Sequence, residues 1–496
     1  MEDGNEMNNP DGSEDIELLF NQISDTESLF EYDDSLPQIP ISHTLHRSET
    51  ELDKSITIWN GLGLIVGVII GSGIFASPGP IVEYSGSVGG ALCVWVGAGF
   101  LSMCGGLCYA ELGTMIPSSG GEHPYLKRAY GALPAFLFSW TGILAGRPGG
   151  IAIITHTCAE YISKILETNS GEGNSPFIIK VLAISIICVI TFINCISTKA
   201  STRVQDFMTT LKICALGYIA AMGAYFLYKG SPTENFKRPI FEGSSSYPGN
   251  YALAIFSALW AFDGWNNLNV VTGELKEPSK NLPRAIIGGT VLVTICYFTT
   301  NIAYFAVLDK TTVAHSTTIG MDFGKAVFGS VGSSIIPLIV IISTLGATNA
   351  TVFTGARVTF ITSQQGHAPK FLSTIYTSTR TPANALILQA SLSMLYILSG
   401  DYKVLVNLYS FIAWSFYFLC VFGILILRMT EPYAERPFKV WLAFPIVFSV
   451  ASSALVAFSI WEAPTQALYA LFLICSGIPV YYVGYRFNVT WEGKHV

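Results

Sequence analysis

Charge is scarce in this sequence. Lys, Arg, Asp and Glu make up 12% of its 496 residues, against 51% hydrophobic; a soluble domain carries roughly 25% charged residues. That excludes a soluble globular protein and leaves an integral membrane one. Cysteine is missing from the loops: all ten, from Cys93 to Cys475, fall inside apolar segments, so an extracellular disulfide framework is excluded and free, packing thiols are expected. The seven histidines are scattered without ligand spacing, and no nucleotide-binding or nucleophile motif occurs, so no metal, no cofactor and no enzymatic activity is expected. No cleaved signal peptide is expected either. Residues 1–53 contain no long apolar run and hold fifteen Asp/Glu against one basic residue, Arg47. They read as a disordered acidic cytoplasmic tail.

What the chain has in quantity is apolar runs near the ~20 residues that cross a bilayer. Twelve are expected, at 57–83, 88–113, 132–160, 178–198, 206–228, 250–273, 284–308, 331–360, 383–399, 403–427, 438–460 and 465–485. A transporter-sized domain would thus occupy 54–487, followed by a short cytoplasmic C-terminus, 488–496. Fifteen Lys/Arg flank the membrane on the termini's side and eight on the other, which puts both termini in the cytoplasm.

The first and sixth runs are interrupted, by Gly71-Ser72-Gly73 and by Asp263-Gly264-Trp265-Asn266-Asn267. Backbone that leaves the helix inside a bilayer must be buried in protein or line a cavity. Paired interruptions in two chain halves point to a transporter's midplane substrate site. Five is an odd number of crossings, so spans 1–5 and 6–10 are read as inverted five-helix repeats, with two helices appended. The helix restarting near Ile74 directs free N–H groups and a positive dipole end at the gap, which suits a carboxylate. Carbonyls at Ile69, Ile70, Trp260, Ala261 and Asp263 suit an ammonium group. Together they fit a zwitterionic amino acid. The simpler alternative is that the glycines only allow close helix packing.

The stretch Ile70-Gly71-Ser72-Gly73-Ile74-Phe75 resembles the first-helix signature of L-type amino-acid transporters, in the amino acid–polyamine–organocation superfamily. So does Cys108-Tyr109-Ala110-Glu111-Leu112-Gly113-Thr114-Met115-Ile116-Pro117, followed by Ser119-Gly120-Gly121-Glu122. Trp260-Ala261-Phe262-Asp263-Gly264-Trp265-Asn266, Asn281-Leu282-Pro283-Arg284-Ala285-Ile286, Glu435-Arg436-Pro437-Phe438-Lys439-Val440 and Ser476-Gly477-Ile478-Pro479-Val480-Tyr481 continue the match in order. The resemblance spans about 56 to 487. It implies the inverted-repeat fold, alternating access and sodium-independent amino-acid transport. By position it implies substrate contacts at Ile69, Ser72 and Gly73, an aromatic lid at Trp260, and a polar neighbour at Asn266.

Ionisable residues inside spans are costly and are read as functional candidates. For Asp263 two readings stand: it reads a second ammonium on a cationic substrate, as members that accept cationic amino acids or cystine can have Asp there, or it caps the restarting helix. Lys212 matches a family lysine that stands in for sodium, bracing the first helix against the eighth; proton coupling and snorkelling to the surface are the alternatives. Arg147 and Arg357 also match the family and are read as gating residues, with Glu111 and Glu274 as candidate partners. Gly149 and Gly150 are read as widening the side-chain pocket or easing packing.

The substrate expected is a neutral L-amino acid, large or sulfur-containing. A cationic or cystine transporter, or an amino-acid sensor without net transport, are the alternatives. Animal relatives pair with a glycoprotein through a cysteine after the third span. The loop from Ser163 to Pro176 has none, so the resemblance implies no disulfide-linked heavy chain and a stand-alone permease of fungal type. The tail carries Glu14-Asp15-Ile16-Glu17-Leu18-Leu19, an acidic dileucine pattern, and offers a surface for endocytic adaptors. Plasma membrane is expected, with vacuolar or endosomal membrane as the alternative.

Overall fold

The structure, a computed structural model, describes residues 56–486 except 119, 171–174, 197, 231–232, 365, 367, 376–380 and 400–401. The acidic tail, its sorting pattern and the C-terminal segment lie outside the described residues.

The fold is all-α. The first span is α1 (Ile58–Ile69) and α2 (Gly73–Ala76), followed by α3 (Pro78–Ser85) and α4 (Val88–Met115). A short connecting helix, α5 (Glu122–Tyr130), leads to the third span. That span runs as α6 (Ala132–Thr141), a π turn at Gly142–Gly146, and α7 (Arg147–Ser170). Then come α8 (Pro176–Ile196) and α9 (Thr198–Lys229). The sixth span is α10 (Pro248–Ala261) and α11 (Asn267–Val270), followed by α12 (Pro278–Val307) and the short α13 (Lys310–His315). Four further helices are α14 (Ile319–Gln364), α15 (Ala383–Ser399), α16 (Tyr402–Thr430) and α17 (Ala443–Glu462), and the last is α18 (Pro464–Arg486). Ten helices among the described residues are long and apolar enough to cross a membrane. The shorter apolar α15 and the interrupted sixth span bring the set to the expected twelve.

Boundaries differ from expectation where polar residues sit on helices. The fifth helix begins at Thr198 rather than 206, and the eighth extends back to Ile319 through a bend at Gly329. A hydropathy window misses such turns because they project beyond the apolar stretch.

Apolar side chains cover the outside of the bundle, among them Val189, Phe192, Leu338 and Phe472, as hydrocarbon rather than water requires. Inside, α12 packs against α4, α9 and α1, while α14 packs against α7 and α9. The broken helices pair crosswise: α11 packs against α1, and α10 against α2 and α3. A backbone clasp supports this arrangement, with Ile56 N–H donating to Glu274 O at 3.0 Å and Lys276 N–H to Ile56 O at 2.9 Å. The start of the first span therefore meets the end of the sixth, so the two run antiparallel, as inverted repeats demand.

Candidate functional site

The two breaks touch. A Cβ added to Gly73 would lie 2.6 Å from the Cβ of Ala261 and closer still to its Cα, so only glycine allows the approach. Ser77 Oγ donates to Ser257 O at 2.8 Å, joining the same two segments. In the second break Gly264 has φ +114, a left-handed angle that turns the chain before α11.

Protein side chains satisfy much of the unwound backbone. At the end of α1, Ile70 N–H donates to Val66 O and Gly71 N–H to Ile69 O. Lys212, 2% exposed, donates through Nζ to Gly67 O at 2.9 Å. A cation at a helix C-terminus meets the negative end of the dipole, which offsets part of the cost of burying it. Lys212 was expected to brace the first helix against the eighth; among the described residues its hydrogen bond goes to α1 and not to the eighth helix. Snorkelling is excluded by its burial.

Tyr297, on α12, is the residue that sequence reasoning missed here. Its hydroxyl lies 2.8 Å from Ile69 O and 3.0 Å from Ala261 O, spanning both breaks with one donor. Two of the five carbonyls expected to stand open for an ammonium group, Ile69 O and Ala261 O, are thus engaged, although each retains a second lone pair. At the restart, the first backbone bond runs from Phe75 N–H to Ser72 O. Among the described residues the N–H groups of Ser72, Gly73 and Ile74 have no backbone acceptor, and Ser72 is buried.

Asp263 does not cap α11, whose N-cap is Asn266 and has no side-chain capping bond. Instead Asp263 accepts from Tyr409 Oη at 2.5 Å and from Tyr417 Oη at 2.8 Å. Both tyrosines lie on α16. Among the described residues Asp263 forms no ion pair. The Tyr409 ring also meets Trp260 edge-on, with centroids 5.1 Å apart, and stands 3.4 Å from where a Cβ on Gly150 would be. A Cβ on Gly149 would meet open space. The Trp260 indole N–H has no partner among the described residues.

A small cavity of about 70 Å³ is lined by Glu122, Arg147, Asp263, Asn266, Tyr409 and Tyr417, with Gly146, Asn267 and Phe416 beside them. It brings together three of the expected residues, Arg147, Asp263 and Asn266. Ile69, Ser72, Gly73, Trp260 and Ala261 are not in its lining. Arg147 Nη1 lies 3.5 Å from Asn267 Oδ1. Glu122, quoted in a motif but given no role, is 2% exposed and accepts from Asn266 Nδ2 and from Tyr109 Oη, the latter at 3.4 Å. Burial raises its carboxyl above its ordinary value, and the nearby Arg147 opposes this. A second crevice, lined by Tyr84, Phe256, Asn407, Phe411, Glu462 and Gln466, contains none of the break residues.

The remaining gating candidates lie elsewhere. Arg357 stacks over Phe353, 4.1 Å from the ring centroid, with Glu274 near enough to act on it electrostatically. Glu111 is not the partner of either arginine. It is 1% exposed and bound to Arg428 Nη2 at 2.5 Å, to Arg436 Nε at 3.5 Å and to Val440 N–H at 2.8 Å. The apolar chain around it gave no hint that α4 and the loop after α16 would meet. All ten cysteines are free thiols.

The profile of the family described as amino acid permease matches residues 56–484. The chain belongs to this family, in its L-type branch. It is 40% identical over 454 residues to mouse b(0,+)-type amino acid transporter 1, covering 91% of this chain and 92% of that one. The human protein of the same name is 39% identical over 446 residues, 90% and 91% of the two chains. Human large neutral amino acids transporter small subunit 2 is 37% identical over 451 residues, 89% and 82%. This permease is a multi-pass membrane transporter of amino acids and not an enzyme.

Proposed function

We propose that this permease is a sodium-independent secondary transporter working by alternating access, and that it takes cationic as well as neutral L-amino acids. The observation that carries the reading is the placement of Asp263. Its carboxylate lines the cavity and is held by two tyrosine hydroxyls rather than by a cation or by helix N–H groups. Hydroxyls rotate, so an entering ammonium can take their place. The amides of Ser72, Gly73 and Ile74 would meet the substrate carboxylate, and the carbonyls of Ile69 and Ala261, relinquished in part by Tyr297, its ammonium. Trp260 would close over the substrate, with Asn266 as polar neighbour. The open space where a Cβ on Gly149 would lie supports a widened side-chain pocket. Lys212 holds α1 from where other transporters would use sodium, while Arg147 and Arg357 act in gating.

The similarity to transporters named b(0,+)-type and large neutral supports the breadth of substrate. The Lys/Arg asymmetry supports cytoplasmic termini, and residues 1–53 serve as a tail for adaptors. The plasma membrane is the proposed location. The small-subunit relative is named as part of an assembly; a partner of this chain would be held without a disulfide from the Ser163–Pro176 loop, which has no cysteine.

The test is uptake of labelled leucine, methionine, lysine and arginine by purified protein in liposomes, with and without amino acid inside. Asp263→Gly is expected to lower lysine flux relative to leucine about 10- to 100-fold, since a hydrogen bond to a charge is worth about 1.5–3 kcal/mol. An unchanged ratio would remove Asp263 from specificity, and binding without any flux would sink transport.

A further inference from the structure

Glu122 lies in the first turn of α5 and has no part in the reading above, yet it shares the cavity with Asp263. Every element packed around it contributes to its surroundings. The second break supplies Asn266 and Asp263, α4 supplies Tyr109, and α7 supplies Arg147; Tyr409, Tyr417 and Cys420 come from α16, and Tyr125 from α5 itself. The neighbouring α6 adds Phe138 to the lining. With both acids ionised, two carboxylates face one guanidinium, leaving one negative charge in excess. Burial makes an uncompensated charge costly, and a buried carboxyl relieves that cost by taking a proton.

A cavity that accepts both neutral and cationic side chains must carry loads that differ by one charge. We propose that Glu122 is a proton-carrying residue that matches the cavity's charge to its substrate. It is protonated when a neutral amino acid is bound and ionised when a cationic side chain is bound. Among the described residues both of the side-chain groups that donate to it end on Oε1, so the proton is assigned to Oε2. It comes from water on the loading side, forms the O–H bond there, and returns to water on the unloading side; no electrons are exchanged. A neutral amino acid thus crosses with one proton, a cationic one with none. This rests on the reading that Asp263's cavity receives the substrate side chain.

The experiment is hetero-exchange in liposomes loaded with lysine and holding a pH dye, with labelled leucine outside and the membrane potential clamped. Leucine entering with a proton while lysine leaves moves no net charge. The vesicle interior should therefore acidify with leucine entry, and leucine accumulation should change less than about twofold over 100 mV. Without the proton, each exchange carries one charge, so accumulation would vary up to about 50-fold over that range with no acidification. That result would overturn the proposal. Glu122→Gln, fixed in the neutral form, should lower lysine flux relative to leucine about tenfold or more and abolish acidification; if it fails to fold, the wild-type dye and potential readings still decide. If Asp263→Asn leaves the lysine-to-leucine ratio unchanged, or lysine drives no leucine entry, the substrate reading fails and the proposal falls with it. Potential-dependent exchange without acidification leaves the substrate reading standing and removes only Glu122.

Discussion

At the residue scale, several polar groups of the interrupted helices are satisfied by single side chains drawn from distant spans. Tyr297 shows the leverage of this arrangement, because one hydroxyl serves Ile69 O and Ala261 O. Tyr297→Phe keeps the ring, which packs against Trp95 and Phe262, and removes only the donor. A buried acceptor left unpaired costs about 1–3 kcal/mol, so a lower melting temperature in detergent and slower leucine flux are expected. An unchanged melt would show that water or substrate takes the hydroxyl's place. Nothing in the sequence marked Tyr297, one of several hydroxyl residues in its span. Tyr409 and Tyr417 did leave a signal: they are eight residues apart, so on a helix they share a face with Ile412, Ala413 and Phe416, and all five line the cavity.

At the scale of elements, α1 depends on its neighbours at the end where it stops. Lys212 on α9 holds Gly67 O in its last turn, so α9 and α1 are coupled through one buried ammonium. Lys212→Met preserves length and apolar bulk while removing both charge and donor. Flux should fall at least tenfold with membrane insertion intact, as judged by surface labelling or protease protection. Full flux would reduce Lys212 to packing. The interruptions themselves were legible because Gly and Asp inside apolar runs are conspicuous. The partners that hold them were not, because contacts between spans leave no mark on local hydropathy. Glu111 illustrates this, since it was read as a candidate partner of Arg147 or Arg357 but is buried against Arg428 and Arg436.

At the scale of the whole molecule, the antiparallel relation of spans 1 and 6 was inferred from an odd number of crossings and then appeared in the crosswise packing of their halves. Helix count and repeat order were legible because each span needs its own apolar run. The lining of the cavity was not, because it depends on where α16 and α5 meet the second break. The clasp at Ile56 and Leu275 carries a whole-molecule prediction. Ile56→Cys combined with Leu275→Cys, joined by a short bis-maleimide crosslinker, should retain leucine flux because the two segments move together. Abolished flux would mean that they part during the cycle. If they stay joined, the chain at Ile56 acts as a tether: a pull on it is felt beyond the second break, and the permease has a mechanical handle on its own gate.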